Sequence, residues 1–172
     1  MAKCPAPEVH SLGEVVVAFG RLEFFLEVSI WQLLAPDESS ERFLMAQAIT
    51  AEMSFDRKVH AFASMFRQKG LATADEELTS LIKKLFAVQD QRNRLLHSVW
   101  SYSQQLGGSF LGMKAAAKAK HGLKRRFQRM TPDRIKHIQK AIGDASQSLA
   151  DFTMKYIKRQ VRSRARSRVR RA

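Results

Sequence analysis

Residues 11–34 read SLGEVVVAFGRLEFFLEVSIWQLL, and apolar side chains recur in this stretch at alternating steps of three and four residues. This spacing places them on one face of an α-helix, which completes a turn in about 3.6 residues. The members of this face are Leu12, Val15, Phe19, Leu22, Leu26 and Leu33, with Ser29 interrupting it. The stretch predicts an amphipathic helix over residues 9–34, closed by Pro36.

Three further segments repeat the helical period. They predict a second helix over residues 40–69, stopped by Gly70, and a third from residue 74 to Trp100. A fourth is predicted to start at Thr131-Pro132-Asp133 and to end near residue 160. Their apolar faces comprise Leu44, Ala48, Phe55, Val59, Phe62 and Phe66 in the second helix, Leu78, Leu81, Ile82, Leu85, Leu96 and Val99 in the third, and Ile135, Ile138, Ile142, Ala145, Leu149, Phe152 and Tyr156 in the fourth.

The helical period is lost between the third and fourth helices, in the inserted segment 101–130. Val99 to Ser103, Phe110 to Lys114 and Lys124 to Gln128 have the composition of short strands, and a basic loop is the alternative. The predicted fold is therefore all-α, an antiparallel four-helix bundle carrying a small β-ribbon or a basic loop. The predicted organisation is an N-terminal tail (1–8), a helical domain (9–160) and an arginine-rich C-terminal tail (161–172).

Positive charge is concentrated in the last third of the chain. Residues 1–110 hold 11 Lys and Arg against 13 Asp and Glu, and residues 111–172 hold 19 against 3, so the two parts carry −2 and +16 of the net +14. Such asymmetry indicates a polyanionic partner. Nucleic acid is the first candidate and an anionic membrane surface the second, and a solubilising tail is the alternative. The cations assigned to nucleic-acid binding here are Lys124, Arg125, Arg126, Arg129, Arg162, Arg164, Arg166, Arg168, Arg170 and Arg171. The C-terminal tail lacks an apolar face, so we expect a mobile cationic arm.

Cysteine content and hydropathy favour a cytoplasmic protein. Cys4 is the only cysteine and cannot form an internal disulfide, as expected in a reducing compartment. Pro5, Pro7 and Glu8 stand where a secretory signal needs a basic start and an apolar stretch. The strongest apolar run, Val15 to Phe19, is too short to span a bilayer, so we expect no membrane insertion.

One short motif in the third predicted helix carries chemistry: Arg92-Asn93-Arg94-Leu95-Leu96-His97. An arginine five residues before a histidine is weak evidence in a chain with 17 arginines and 5 histidines, since about half of one such pair is expected by chance. Asn93, however, is the only asparagine in the chain. Its place directly after Arg92 lowers the chance expectation to roughly a few in a thousand.

The helical register brings the polar residues of this motif together. Arg92 follows Leu85 by seven residues, nearly two turns, and so takes the place of a core residue. A guanidinium there must be paired, face a cleft or line an interface. Asn93 and His97 are four residues apart and are neighbours on the helix surface. We expect a polar cleft formed by Arg92, Asn93 and His97, with Arg94 pointing to solvent.

Histidine and arginine meet the chemical needs of RNA cleavage by the strand's own 2′-hydroxyl. The reaction needs a group that titrates near neutral pH and a positive charge where the phosphorane becomes negative. His97 is assigned as the general acid or base and Arg92 as the phosphate and transition-state stabiliser. Asn93 is assigned to orient His97 or a phosphate oxygen, and Arg94 to nucleic-acid binding.

This motif, late in the third helix of a predicted four-helix bundle, is similar to the Arg-x4-6-His motif of the HEPN superfamily. The lead-in Val17 to Glu23 and the exit His97 to Trp100 also resemble bacterial proteins of this type, over residues 9–160. The resemblance implies a metal-independent endoribonuclease of toxin–antitoxin or phage-defence systems, active as a homodimer with paired motifs across the interface. RNA and an antitoxin or regulatory protein are the implied partners. The inserted segment and the C-terminal tail lie outside the general pattern.

A structural role for the same residues is the alternative. Arg92 would pair with Glu23 or Glu27, and His97 would cap its own helix. The chain would then be a non-catalytic helical dimer or partner-binding module whose basic third binds nucleic acid. No metal or cofactor is expected, because Cys4 has no CxxC partner and the remaining histidines lack ligand spacing. These histidines are His10, His60, His121 and His137.

Overall fold

The computed structural model describes residues 6–35, 40–70, 75–103, 109–118 and 122–169. This part of the chain is mostly helical, as predicted, and carries one small antiparallel sheet. Its helices are α1 (Ala6–Leu34), α2 (Glu41–Ala51), α3 (Phe55–Gln68), α4 (Asp75–Leu96) and α5 (Pro132–Val169). Its strands, between α4 and α5, are β1 (Val99–Ser103), β2 (Ser109–Lys118) and β3 (Gly122–Met130). Residues 1–5 of the predicted N-terminal tail lie outside the described residues, whereas α1 includes residues 6–8.

The chain divides into two compact units. The sheet unit comprises residues 1–19 and 87–142, and the second unit comprises residues 20–86 and 143–172. Helices α1, α4 and α5 each contribute residues to both units. Among the described residues, no helix is long and apolar enough to cross a membrane.

The core of the second unit is formed by the predicted faces of α1, α4 and α5 together with α3. Its buried side chains include Leu22, Leu26, Ile30, Leu33, Val59, Phe62, Phe66, Leu78, Leu81, Leu85, Ala145, Leu149 and Phe152. The rings of Phe66 and Phe152 lie 4.8 Å apart. Ser29 is buried among them, because its Oγ donates to the Phe25 carbonyl at 2.8 Å and is hydrogen-bonded to Thr153 Oγ1 at 3.0 Å. The polar interruption in the α1 face is therefore satisfied.

A buried cation lies in the same unit. The Lys58 side chain is 4% exposed, and its Nζ donates to Glu23 Oε1 at 2.6 Å and to Glu27 Oε1 at 2.5 Å. Burial lowers the pKa of Lys58, but the hydrogen bonds that its ammonium donates to Glu23 and Glu27, and the attraction of the two carboxylates, outweigh this effect, so the pKa lies above its ordinary value. We call these three residues the Lys58 cluster.

The prediction of one continuous helix over residues 40–69 is wrong, because the helix is interrupted between α2 and α3. Ser54 has an extended backbone, with ψ at 157°, and its side chain accepts a hydrogen bond from the Arg57 amide at 3.5 Å. Ser54 thus caps a new helix, as serine does at this position.

The buried face of α2 also differs from the prediction. Leu44 is 64% exposed and Ala48 is exposed, whereas Ala46 and Thr50 are buried. The indole Nε1 of Trp31 donates to Thr50 Oγ1 at 2.7 Å in a buried position. A tertiary hydrogen bond from α1 therefore turns Thr50, and with it that face of α2, toward the core.

The sheet unit contains the β-ribbon that was one of the two predicted alternatives. Its strands pair antiparallel in the order β1-β2-β3, with Trp100 opposite Gly112 and Phe110 opposite Met130. A Cβ at Gly112 would overlap the ring of Trp100. Only glycine lets the two strands pair with the indole in this position.

Helix α5 begins as predicted and ends later. Thr131 Oγ1 accepts a hydrogen bond from the Arg134 amide at 3.3 Å, which caps the first turn. In the sheet unit, Gln139 Nε2 donates to the Ser11 carbonyl at 3.1 Å and to Glu14 Oε2 at 2.8 Å, which ties α5 to α1. The backbone stays helical to Val169, so the predicted end near residue 160 is wrong. Residues 161–169 contain no glycine or proline, and arginine is a good helix former.

Candidate functional site

The residues of the motif lie at the end of α4, which stops directly before His97. The last carbonyls of an α-helix have no partner within the helix, and those of α4 accept hydrogen bonds from backbone and side-chain donors that follow it. These bonds run from His97 N to Asn93 O (3.1 Å), from Ser98 Oγ to Arg94 O (2.6 Å) and from Trp100 Nε1 to Leu95 O (2.6 Å). The predicted end of the third helix at Trp100 is therefore wrong. Val99, predicted to be buried, is 67% exposed and begins β1.

Arg92 is half-buried and is held by an aromatic ring and an amide. Its Cζ lies 5.2 Å from the centroid of the Phe19 ring, and Phe19 itself is buried. Its Nη1 donates to Asn93 Oδ1 at 3.0 Å. Its Nε is buried and has no hydrogen-bond partner among the described residues. The guanidinium thus keeps an unsatisfied donor beside the ring that supports its charge.

The predicted alternative partners of Arg92 are occupied by another cation. Glu23 and Glu27 both bind Lys58, in the second unit. A half-buried guanidinium needs a counter-charge or an aromatic face, and here Phe19 provides the face. Arg92 makes no ion pair with a residue that the structure describes, so its guanidinium is available to an external anion.

Asn93 and His97 differ in their surroundings. Asn93 is half-buried and its side-chain oxygen is engaged by Arg92, so the hydrogen bond that it makes orients the guanidinium. His97 is one turn further along the chain, and its side chain is exposed. An oriented cation thus lies four residues before the end of α4, and a solvent-accessible imidazole directly follows this end.

Arg94 lies on the opposite side of α4 from Arg92, since two residues turn the helix by about 200°. It is exposed, and its Nη2 lies 2.6 Å from Asp90 Oδ2. Both residues line a pocket of about 480 Å³, together with residues of α5. Arg94 is among the residues predicted to bind nucleic acid, whereas the other lining residues were not predicted. The four-residue spacing of Asp90 and Arg94 was the available signal for their pairing.

The other predicted nucleic-acid-binding residues are distributed over both units. Lys124, Arg125, Arg126 and Arg129 lie in β3 of the sheet unit, where Arg129 is exposed. Arg162, Arg164, Arg166 and Arg168 lie in α5 within the second unit. Arg170 and Arg171 lie outside the described residues.

The described ranges contain no group of three or more His, Cys, Asp or Glu side chains that would hold a metal ion. Comparison of the chain with protein-family models, curated proteins and solved structures gives no match.

Proposed function

We propose that this chain is a metal-independent endoribonuclease of HEPN type in which Arg92, Asn93 and His97 act on RNA. Arg92 is the observation that carries the proposal. It is a half-buried cation that Phe19 and Asn93 hold in place, and its Nε lacks a partner among the described residues. The planar guanidinium matches the geometry of phosphate oxygens, as it does that of carboxylates, and can bind them through two parallel hydrogen bonds.

The proposed reaction is transesterification within the RNA strand. The 2′-hydroxyl oxygen attacks the neighbouring phosphorus, and the bond from phosphorus to the 5′-oxygen breaks. His97 takes the proton from the 2′-hydroxyl or gives a proton to the leaving 5′-oxygen, and water or a second copy of the motif performs the other transfer. Arg92, oriented by Asn93, stabilises the negative charge of the phosphorane. The products are a 2′,3′-cyclic phosphate and a 5′-hydroxyl end.

The test is cleavage of labelled RNA in EDTA by the wild type and by the Arg92→Ala and His97→Ala variants. We expect both variants to lose at least about 100-fold in rate, the usual contribution of a general acid or base or of an electrostatic stabiliser. His60→Ala is the matched control, because His60 is an exposed histidine on α3. An RNA with a 2′-deoxy sugar at the cleaved position must stay intact.

Two results would contradict the proposal. One is cleavage by Arg92→Ala or His97→Ala at the wild-type rate. The other is a folded wild type that binds a diverse RNA pool without cutting any of it. The second result would instead support the non-catalytic helical dimer or partner-binding module, whose basic third binds nucleic acid.

The same proposal includes the partners that the HEPN resemblance implies. RNA is the substrate, supported by the excess of 16 positive charges in residues 111–172. The protein would be cytoplasmic, its helices an antiparallel four-helix bundle, and an antitoxin or regulatory protein its second partner.

Two copies would pair as a homodimer. Apolar side chains exposed in the second unit support such pairing, since exposed apolar patches often mark interfaces. They are Phe24 (52% exposed), Leu44 (64%), Met45 (55%) and Ile49 (56%). Sedimentation velocity on the enzyme used in the cleavage assay should show a dimer at micromolar concentration, and a monomer would contradict this part.

A further inference from the structure

A second candidate site lies in the sheet unit, in the pocket of about 480 Å³ between α4 and α5. Its volume falls in the range of about 300–1,000 Å³ that small-molecule sites occupy. Because Asp90 and Arg94 lie two residues before and after Arg92, they point away from Arg92, about 200° around α4. The pocket is therefore distinct from the Arg92 site.

One part of the pocket wall is apolar. Ala87 of α4, Met130 at the end of β3 and Ile138 of α5 line it. Met130 is 2% exposed and Ile138 is 5% exposed, so both are anchored in the core. Methionine and branched aliphatic side chains make favourable contacts with a flat aromatic ring.

Another part of the pocket wall is formed by basic side chains of α5, which favour a negatively charged ligand. Arg134 is the third residue of α5 and His137 follows one turn later, and both are exposed where they line the pocket. Arg134 makes no ion pair with any residue that the structure describes, whereas Arg94 is already bound to Asp90. The first turn of a helix adds partial positive charge. This end of the pocket thus favours an anion such as phosphate.

Gln91 adds an unsatisfied hydrogen-bonding group to the pocket lining. Its Oε1 is buried and has no partner among the described residues, although the side chain lines the pocket. A buried amide oxygen without a donor costs free energy. Because the terminal torsion of glutamine is broad, a rotation of the amide would present this oxygen to an N–H group of a ligand.

From these features we propose that the pocket binds a nucleoside phosphate. The base packs on Met130 and Ile138 and donates an N–H to Gln91, and the phosphate binds Arg134 and His137. The Asp90 carboxylate, held by Arg94, accepts hydrogen bonds from the ribose hydroxyls. A free nucleotide and a nucleotide unit of RNA share this chemistry.

Isothermal titration calorimetry of the full chain with AMP, GMP, CMP and UMP tests the proposal, alongside the matching nucleosides and inorganic phosphate. We expect a nucleoside monophosphate to bind at least about ten-fold more tightly than its nucleoside, as loss of a charged hydrogen bond predicts. Arg134→Gln should weaken binding by a similar factor. Lys136→Gln should not, because Lys136 is an exposed cation of α5 that does not line the pocket. Gln91→Leu should change the order of preference among the four bases.

A short RNA separates the two sources of the ligand. Binding of free nucleotides with the Arg134→Gln effect identifies a nucleotide site, and the same effect on RNA alone identifies a subsite for RNA. Equal affinities of Arg134→Gln and Lys136→Gln for every ligand would overturn the proposal, as would no binding of any nucleotide or RNA. Thermal melting confirms that each variant is folded. His97→Ala should keep the nucleotide affinity, so failure of the proposed ribonuclease function and failure of this pocket are distinguishable.

Discussion

Replacing Lys58 by methionine should destabilise the protein strongly. Methionine keeps most of the apolar stem of lysine but removes the ammonium that Glu23 and Glu27 share at 2.6 Å and 2.5 Å. The two carboxylates lie one turn apart on α1, so the substitution leaves two neighbouring negative charges without a counter-charge.

The magnitude follows from the burial of the three groups. Removing one partner of a buried ion pair costs about 3–5 kcal/mol. Glu23 and Glu27 are 31% and 18% exposed, so water still solvates part of their charge and the lower end applies, about 3 kcal/mol. For a chain of this length each kcal/mol corresponds to about 2–4 °C, so Tm should fall by about 6–12 °C.

Urea unfolding and thermal melting at pH 7 measure this loss, and Lys155→Met is the matched control. Lys155 Nζ binds Glu77 Oε1 at the same distance, 2.6 Å, but its side chain is 56% exposed. Its replacement should lower Tm much less, because water screens an exposed pair. Adding Glu23→Gln and Glu27→Gln to Lys58→Met should restore part of the stability. Equal losses for Lys58→Met and Lys155→Met would refute the assignment of a stabilising role to the Lys58 cluster.

Three further predictions concern stability. The Lys58 ammonium contributes its full stabilisation below about pH 10.4, the unperturbed pKa of lysine. This stabilisation is lost as the pH rises through the pKa of Lys58 in the folded protein, which is higher. The stability difference between wild type and Lys58→Met, followed by urea unfolding from pH 8 upward, should therefore shrink only above that pH, and a difference already shrinking at pH 8 would contradict the sign. Gly20→Ala in α1 should raise the free energy of unfolding by about 0.5–1 kcal/mol, since nothing lies within 4 Å of the new Cβ. Gly112→Ala should lower it and change the near-ultraviolet signal of Trp100, and a neutral Gly112→Ala would show that the strand pairing tolerates a Cβ.

The helices that the sequence predicted correctly have a long apolar period, which in α1 is interrupted only at Ser29. Leu22 and Leu26 in α1 and Ile142 and Leu149 in α5 are all fully buried, as their spacing requires. The break between α2 and α3 escaped prediction because Ser54 is compatible with a helix interior as well as with a cap. The buried face of α2 depends on the bond between Trp31 and Thr50, which no local pattern encodes.

The contacts of the candidate site could likewise be predicted only in part. The contact between Arg92 and Asn93 follows from adjacent positions in one helix. The Phe19 ring beneath Arg92 belongs to α1, and only the tertiary fold brings the two together. The alternative interpretation of the motif paired Arg92 with Glu23 or Glu27, whereas in the structure both carboxylates bind Lys58.

The placement of the two tryptophans gives each compact unit its own fluorophore. Trp31 is 9% exposed in the second unit, and Trp100 lies in the sheet unit with its indole bonded to the last turn of α4. In a Trp31→Phe variant, tryptophan fluorescence would therefore come only from Trp100 in the sheet unit. In a Trp100→Phe variant, it would come only from Trp31 in the second unit. Stopped-flow fluorescence of the two variants would reveal whether the units unfold together or in sequence, without an added label.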